Sequence, residues 1–591
     1  MEPTRTFDLL ERYKQHFPNK ENALSAKQNG KWISYSTQTY IETCNNFAYG
    51  LLECGMKKGD KIITATSNRP EWNFVDHGMA MCGIVHVPVY TSLNEEEYNY
   101  IVEHSEARMV FVANKNLYNK FLPACKKAKI EKNIYLFDPI DDLPGWSEIV
   151  ELGKTNAEKW KDRLEKIKES IQEDDFSSLL YTSGTTGRSK GVMLSHKNMV
   201  SNFIEAAKVF QLKENDKYLS ILPLCHVGGR MGNYQTQYSG TGVYYAENMG
   251  AFAKVMKEIA ADGFDAVPRV MEKVYDNIIS KGSQLTGMKK KIFFWAVKLG
   301  LKYKPFGENG WFYEQKLKIA DKLIFSKWRD ALGGNVKLVG CGGAALQPRL
   351  ERIFWAAGVK IINMYGLTET SPIITINRQQ APHCKLGTVG ALIDGVELKI
   401  AEDGEILARG NCIMLGYYKD EKLTKESIDK EGWFHTGDIG HLEDGKFLAV
   451  TDRKKEIFKL SNGKFVAPQL IENAFKESLF IDQLMVLGEG EKFASALIIP
   501  DYDQLKIWGD EKNIAFSSNE ELISMPEVQN HYKEEINRLN NAFSEHERVN
   551  RFKIVKENWS PESGDLSPTL KLKRKIVAER NKELIDSIYG N

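Results

Sequence analysis

The chain has 591 residues, 42% of them hydrophobic and 27% charged, with a formal net charge of +1. Single cores stop growing near ~250–300 residues, so more than one domain is expected of an ordinary globular composition. The near-neutral charge argues against a dedicated nucleic-acid binder. The eight cysteines include no C-x-x-C pair, which points to neither a zinc site nor a disulfide framework and fits reduced thiols. The opening Met1-Glu2-Pro3-Thr4 lacks the apolar core of a secretory signal, and no stretch reaches the ~18 apolar residues of a membrane span. A cytoplasmic location is expected.

Short apolar strands are expected at 61–65, 109–112, 179–182, 336–339 and 360–364, alternating with amphipathic helices. Residues 78–90 read as helix then strand, interrupted by His86 and Pro88. Ser195 reads as the N-cap of a helix from about Lys197. Its adjacency to His196 is poor geometry for a nucleophile and its base. Strands alternating with helices predict α/β layering with largely parallel sheets up to about residue 450.

Residues 288–305 carry six lysines and no acid, interleaved with Phe293, Phe294, Trp295 and Tyr303. Two readings stand open. Such a helix can lie in a membrane interface, giving peripheral membrane contact. It can equally pack its aromatic side inward with its lysines in water, the commoner arrangement. Residues 404–417 look strand-rich and glycine-punctuated, a β-subdomain ending near Asp452. Beyond it, strands at 483–487 and 494–499 mixed with charged helices suggest a small α+β unit, with an extended helical region over 505–550.

The stretch before Tyr181 is a short buried strand feeding Tyr181-Thr-Ser-Gly-Thr-Thr-Gly-Arg-Ser-Lys190-Gly191. Glycine lets backbone N–H groups approach an anion, and successive N–H groups form a nest with partial positive charge. Thr182, Ser183, Thr185 and Thr186 add hydroxyls, and Lys190 adds a point charge. The loop suits a polyphosphate. It misses the G-x-x-x-x-G-K-[ST] spacing of the common phosphate loop. Four further runs follow in order: Asn363-Met364-Tyr365-Gly366-Leu-Thr368-Glu369-Thr, with Gly342-Gly343-Ala344 upstream; Trp433-Phe-His-Thr-Gly-Asp438; Asp452-Arg453-Lys454-Lys455-Glu456; and Leu566-Ser-Pro-Thr-Leu-Lys571-Leu-Lys-Arg574. Taken singly, each has a plain structural reading: a helix cap, a glycine turn, a solvated charge cluster or a basic surface.

Together these runs resemble the acyl-adenylate-forming enzymes, with Ser189 where that family usually has proline. Leu222-Pro-Leu-Cys-His226, Val267-Pro-Arg-Val-Met-Glu-Lys273 and the form of the Lys571 run resemble the AMP-forming long-chain fatty acid–CoA ligases among them. The resemblance implies a large N-terminal domain (1–452) of layered α/β subdomains plus a β-subdomain, and a small mobile α+β lid domain (453–591). ATP would be held by Thr182, Ser183, Gly184, Thr185, Thr186, Gly187 and Lys190, with Gly342, Gly343 and Ala344 beneath the adenine. Asn363, Met364 and Gly366 would help to hold ATP, Tyr365 would lie against the adenine, and Thr368 would meet the α-phosphate. Glu369 would hold Mg²⁺, a cation that takes one or two carboxylates plus substrate phosphates. Asp438 and Arg453 would contact the ribose. Lys455 would be the hinge and His226 a border of the acyl pocket, and Lys571, Glu369, Thr368 and Lys190 would carry catalysis.

The implied reaction joins a long-chain fatty acid to AMP with release of pyrophosphate, then transfers the acyl group to coenzyme A. The alternatives are an adenylating enzyme for aryl acids or for another thiol acceptor, and more remotely a non-catalytic acyl- or nucleotide-binding protein. Gly228-Gly229-Arg230 departs from the bulkier residue and acid of many relatives, which leaves the pocket shape open.

Overall fold

A computed structural model describes residues 2–182, 189–560, 563–567 and 570–590. Two large sheets dominate the chain up to about residue 450. In the first, seven strands run in the order Gly416–Tyr417, Lys190–Ser195, Phe176–Thr182, Val85–Pro88, Lys61–Ala65, Met109–Val112 and Ile134–Leu136. The last five of these pair parallel, and the first two pairings are antiparallel. The second sheet has nine strands, with a parallel centre and antiparallel strands at both edges.

Helices fill the space between the two sheets. Thr37–Glu53 and Pro70–Met81 share one core with Leu24, Val243 and Tyr245 of the nine-stranded sheet and with Ile62, Met109 and Phe111 of the seven-stranded one. Pro70–Met81 is buried along its whole length, as a helix covered on both faces must be. Glu95–Ser105 and Lys115–Lys127 cover the outer face of the seven-stranded sheet. The strands expected at 61–65 and 109–112 fall on those residues, and those at 179–182 and 360–364 lie within longer strands. The strand expected at 336–339 is shifted to Leu338–Cys341. Ser195 caps His196–Phe210 by accepting from the Asn198 N–H.

A four-stranded antiparallel sheet follows, Val396–Ile400, Glu405–Gly410, Phe434–Glu443 and Phe447–Arg453. From Phe458 onward the chain builds two cores of its own around a three-stranded sheet, Ile481–Leu487, Ala494–Pro500 and Val549–Ile554. The polar 505–550 stretch forms three helices, Tyr502–Glu511, Asn519–Ser524 and Pro526–Asn540.

One buried polar network ties the layers together. Asp76 accepts from Arg230 Nη2 (2.5 Å), from the Tyr234 hydroxyl, and pairs with His86 Nδ1 (2.6 Å). Arg230 also donates to Ser178 Oγ at 2.8 Å, on the seven-stranded sheet. Burial alone would raise the Asp76 pKa, but Arg230 and then His86 outweigh it and hold the carboxyl well below its usual range. The pocket shape, left open by the Gly228-Gly229-Arg230 departure, does not turn on the arginine. Arg230 turns away from the cavity described below, and of that departure only Gly228 lines it.

Arg230→Met should leave the Asp76 charge buried without its guanidinium. A destabilisation of about 3–5 kcal/mol is expected from breaking such a pair. The check is the urea midpoint, beside Asp76→Asn/Arg230→Met, which should recover part of the loss. A midpoint unchanged within error in the single variant would contradict the assignment.

Candidate active site

The C-terminal ends of several strands and the unit beyond Phe458 enclose a cavity of about 3550 Å³. Thr182 and Lys190 stand opposite each other at the ends of two antiparallel strands and both line it. Ser183, Gly184, Thr185, Thr186 and Gly187, expected to hold phosphates, lie outside the described residues. Lys190 Nζ lies 5.3 Å from the Tyr417 ring centroid, and the Tyr417 hydroxyl donates to Glu369 Oε1 at 2.9 Å. Tyr417 therefore spaces a cation and a carboxylate on one wall. The sequence reading missed it, because its only local signal is a Gly-Tyr-Tyr run in a strand-rich segment.

Lys360–Gly366 leads into a tight turn, Thr368–Thr370, that carries Thr368 and Glu369. Gly366 is required there, since a Cβ would stand 1.6 Å from the Pro372 carbonyl oxygen. Asn363, Met364 and Tyr365 line the cavity, as do Gly342, Gly343 and Ala344 just after Leu338–Cys341. Asn363 donates to the Thr388 carbonyl at 3.1 Å, and its own Oδ1 is buried without a partner.

Asp438 and Arg453 are register partners across two antiparallel strands. Asp438 is 4% exposed and accepts from the Tyr365 hydroxyl at 2.7 Å, with Arg453 Nε 3.2 Å from its other oxygen. Burial raises its pKa, opposed by Arg453, the Tyr365 hydrogen bond and Lys571. Lys454 and Lys455 are exposed in the turn after Arg453, and Lys454 is held by Asp403 (2.6 Å) and Glu405 (2.8 Å).

Lys571 comes back into this cavity from the end of the chain. It sits on a turn in which its N–H donates to Ser567 Oγ (3.0 Å) and its carbonyl accepts from Ser567 N–H (2.7 Å). Its side chain is exposed, but to the cavity, where protein atoms crowd it on most sides. That desolvation lowers its pKa, helped by Arg453 and opposed by Asp438, Glu369 and Glu456. The same lysine, after burial itself, contributes to the fall of His226 to about 4. His226 lines the cavity, and its Nδ1 accepts from Gly228 N–H at 3.1 Å at the start of Val227–Tyr238. Arg574 is not the basic surface residue that its run suggested. It donates to both oxygens of Glu472 (2.6 Å), to Glu456 (3.1 Å) and to the Val486 carbonyl (3.2 Å).

The sequence also gave no notice of Asp265, a lone acid in the apolar strand Gly263–Ala266. It lines the cavity at 7% exposure, and its Oδ1 has no partner. Room for it is made by two glycines: a Cβ at Gly232 would stand 1.8 Å from one carboxyl oxygen, and one at Gly340 2.1 Å from the other. Burial pushes its pKa up to about 7, against the opposing effect of the Tyr218 phenol.

A family model described as AMP-binding enzyme matches residues 10–418, and one described as AMP-binding enzyme C-terminal domain matches 455–591. The chain belongs to the AMP-binding enzyme family. It is 30% identical to the long-chain-fatty-acid–CoA ligase FadD15 of Mycobacterium bovis, over 95% of this chain and 93% of that protein. It is also 30% identical to the peroxisomal long chain acyl-CoA synthetase 6 of Arabidopsis thaliana, over 95% and 82%. The fold matches the adenylation domain of a carboxylate reductase from Mycobacterium chelonae at a TM-score of 0.73, with 19% identity over 99% of this chain and 91% of that one. It likewise matches the anthranilate CoA ligase AuaEII bound to anthranoyl-AMP, at 0.72 with 18% identity over 98% of each.

Asp265 makes stability fall with pH. Its folded pKa lies above the ~3.9 of an unfolded aspartate, so the folded state holds the extra proton between those values. Stability is lost as pH rises from there to about 7 and stays low above. Asp265→Asn should therefore gain on the parent protein in denaturation midpoint between pH 5 and pH 8. A difference that does not change with pH would refute this account.

Proposed function

We propose that this protein activates a long-chain fatty acid with ATP and passes it to coenzyme A, releasing pyrophosphate and then AMP. The observation that carries the reading is electrostatic. Lys571, Arg453, Asp438 and Glu369 face one cavity and act on one another, although Lys571 lies 118 residues beyond Arg453 in the chain. Residues 1–452 would form the adenylating domain and 453–591 the lid that carries Lys571.

In the first half-reaction a carboxylate oxygen attacks the α-phosphorus of ATP, and pyrophosphate leaves. Two anions must meet, so the site must cancel charge where it develops. Lys571, already desolvated, would lie between carboxylate and α-phosphate. Lys190 and the loop before it would hold the leaving pyrophosphate, and Thr368 would donate to the α-phosphate. Asp438 would accept from the ribose hydroxyls through lone pairs that Tyr365 and Arg453 leave open. The Asn363 carbonyl oxygen would accept from the adenine amino group, with Tyr365 and Gly342–Ala344 against the ring. Donors fixed in advance usually supply the largest part of such catalysis.

Mg²⁺ fits the residues present. Glu369 offers one carboxylate in the cavity, with one oxygen taken by Tyr417, and this cation draws its other ligands from phosphates and water. When bound it would supply charge neutralisation to the phosphates. In the second half-reaction the lid would rotate about Lys455, withdrawing Lys571 and opening a path for the coenzyme A thiol. Its sulfur attacks the acyl carbon, AMP departs, and the thiol proton goes to solvent. His226 would border the apolar chain beside Gly228 and Met231.

The test follows the nucleotide and acyl products from Mg-ATP and palmitate, with and without coenzyme A. AMP, pyrophosphate and palmitoyl-CoA are expected; ADP would overturn the mechanism. Adenylate without thioester would move the reading to another thiol acceptor, and turnover of aryl acids alone to an aryl ligase. Lys571→Ala should cut adenylate formation by about 10²–10³-fold. It should leave thioester formation from preformed acyl-adenylate nearly intact. Because its pKa is lowered in the free enzyme, the alkaline limb of kcat/KM for adenylation should fall below the ordinary lysine value of ~10.4, as Lys571 loses its proton. An alkaline limb at or above that value would contradict the lysine's role.

A further inference from the structure

The helix Gly287–Gly300 settles half of the question its sequence raised. Phe293, Ala296 and Val297 are buried, so one side packs inward. The unexpected feature lies beside it. Trp311–Ala320 and Asp321–Phe325 pack against that helix, with the Tyr313 hydroxyl donating to the Leu299 carbonyl at 2.7 Å. Trp311 is 67% and Phe312 79% exposed, their rings in edge contact, and Trp295, Phe306, Ile319 and Leu323 of the same stretch of chain are exposed as well. Contiguous exposed apolar side chains on this scale mark an interaction surface.

The charge around the patch is predominantly positive. Residues 288–323 hold nine lysines and three acids. Among the described residues none of these lysines forms an ion pair, and one of the acids, Asp321, is paired with Arg329. Aromatic side chains ringed by unpaired lysines match a bilayer interface, where the rings sit at headgroup level and the lysines meet anionic lipid. A protein partner would call for a matching acidic rim, for which nothing here selects.

The position of the patch is also informative. Phe293, Ile324 and Trp328 line the distal part of the cavity. Leu323 and Ile324 are neighbours, one exposed and the other lining the cavity. The same helices thus carry the cavity wall on one side and the patch on the other.

We propose that the face formed by residues 288–323 docks on an anionic bilayer, so that the apolar arm of the cavity lies against the membrane that holds its fatty acid. The docking stands on the surface alone; the delivery of a fatty acid rests on the function proposed above.

The test is co-sedimentation of the full chain with phosphatidylcholine vesicles, with and without phosphatidylglycerol. Binding should require phosphatidylglycerol. Trp311→Ser/Phe312→Ser and Lys316→Glu/Lys322→Glu should each weaken it by about tenfold or more. Both variants should turn over hexanoate in vesicle-free buffer at the parent rate if the ligase reading holds, and should lose rate only on palmitate presented in anionic vesicles. Absence of turnover in every protein would sink the ligase reading and leave the binding result standing. No binding by the parent, or equal binding by the variants, would overturn the docking. A shift from dimer to monomer in the aromatic variant, with vesicle binding unchanged, would instead make this face a contact between copies of the chain.

Discussion

The register that sets Asp438 opposite Arg453 is the constraint on which the site depends. Cross-strand partners are fixed by the hydrogen-bond ladder, so a one-residue slip of either strand would put the two side chains on opposite faces. The same strand that positions Arg453 ends there and releases the chain into the C-terminal unit. One antiparallel pairing therefore places a buried carboxylate in the cavity, supplies its counter-charge and sets the point from which everything after residue 453 departs.

The cavity has an internal tension. It sets Arg453 as well as Glu369, Asp438 and Glu456 around Lys571, and desolvation already weighs on that lysine. A cation whose charged form is disfavoured by burial and by a neighbouring guanidinium gains most when an anion arrives. Polyphosphate would restore what burial removed, so the interaction is strongest where charge develops and weakest in the empty site. Asp265 has the opposite logic: a buried carboxyl with one oxygen unpartnered, its rise to about 7 opposed only by the Tyr218 phenol, given room by two glycines.

The sequence made the loops of this site legible because each is a run of consecutive residues whose chemistry is local. Tyr365, Glu369, Asp438 and Arg453 all reach the cavity as their runs implied. Tyr417 and Asp265 were missed for a physical reason. Their meaning comes from residues far away in the chain: Glu369 and Lys190 for the tyrosine, Gly232 and Gly340 for the aspartate. The role of Arg230 stayed open for the same reason, because its partners Asp76 and Ser178 lie more than fifty residues upstream on other layers. The helix at 287–300 could be placed by its pattern, whereas the exposure of Trp311 and Phe312 depends on what fails to cover them.

The two units are joined by contacts of unequal kind, and the inequality bears on motion. Gln469 N–H donates to the buried Asp452 at 2.9 Å across the junction, and beyond it lie the Arg269–Asp482 ion pair and a hydrogen bond from Arg349 to the Lys476 carbonyl at 3.1 Å. The latter two are partly solvated, and such contacts contribute only about 0–1 kcal/mol each. Within the C-terminal unit the contrast is sharp. Arg574, three residues from Lys571, is locked to a buried Glu472 by two short hydrogen bonds and to Glu456 by a third. Breaking a buried pair of that type costs about 3–5 kcal/mol. The lysine loop is thus firmly bound to its own unit. Lys571 would then leave the cavity by movement of the whole unit about the exposed turn at Lys454 and Lys455, and not by loosening of its own loop.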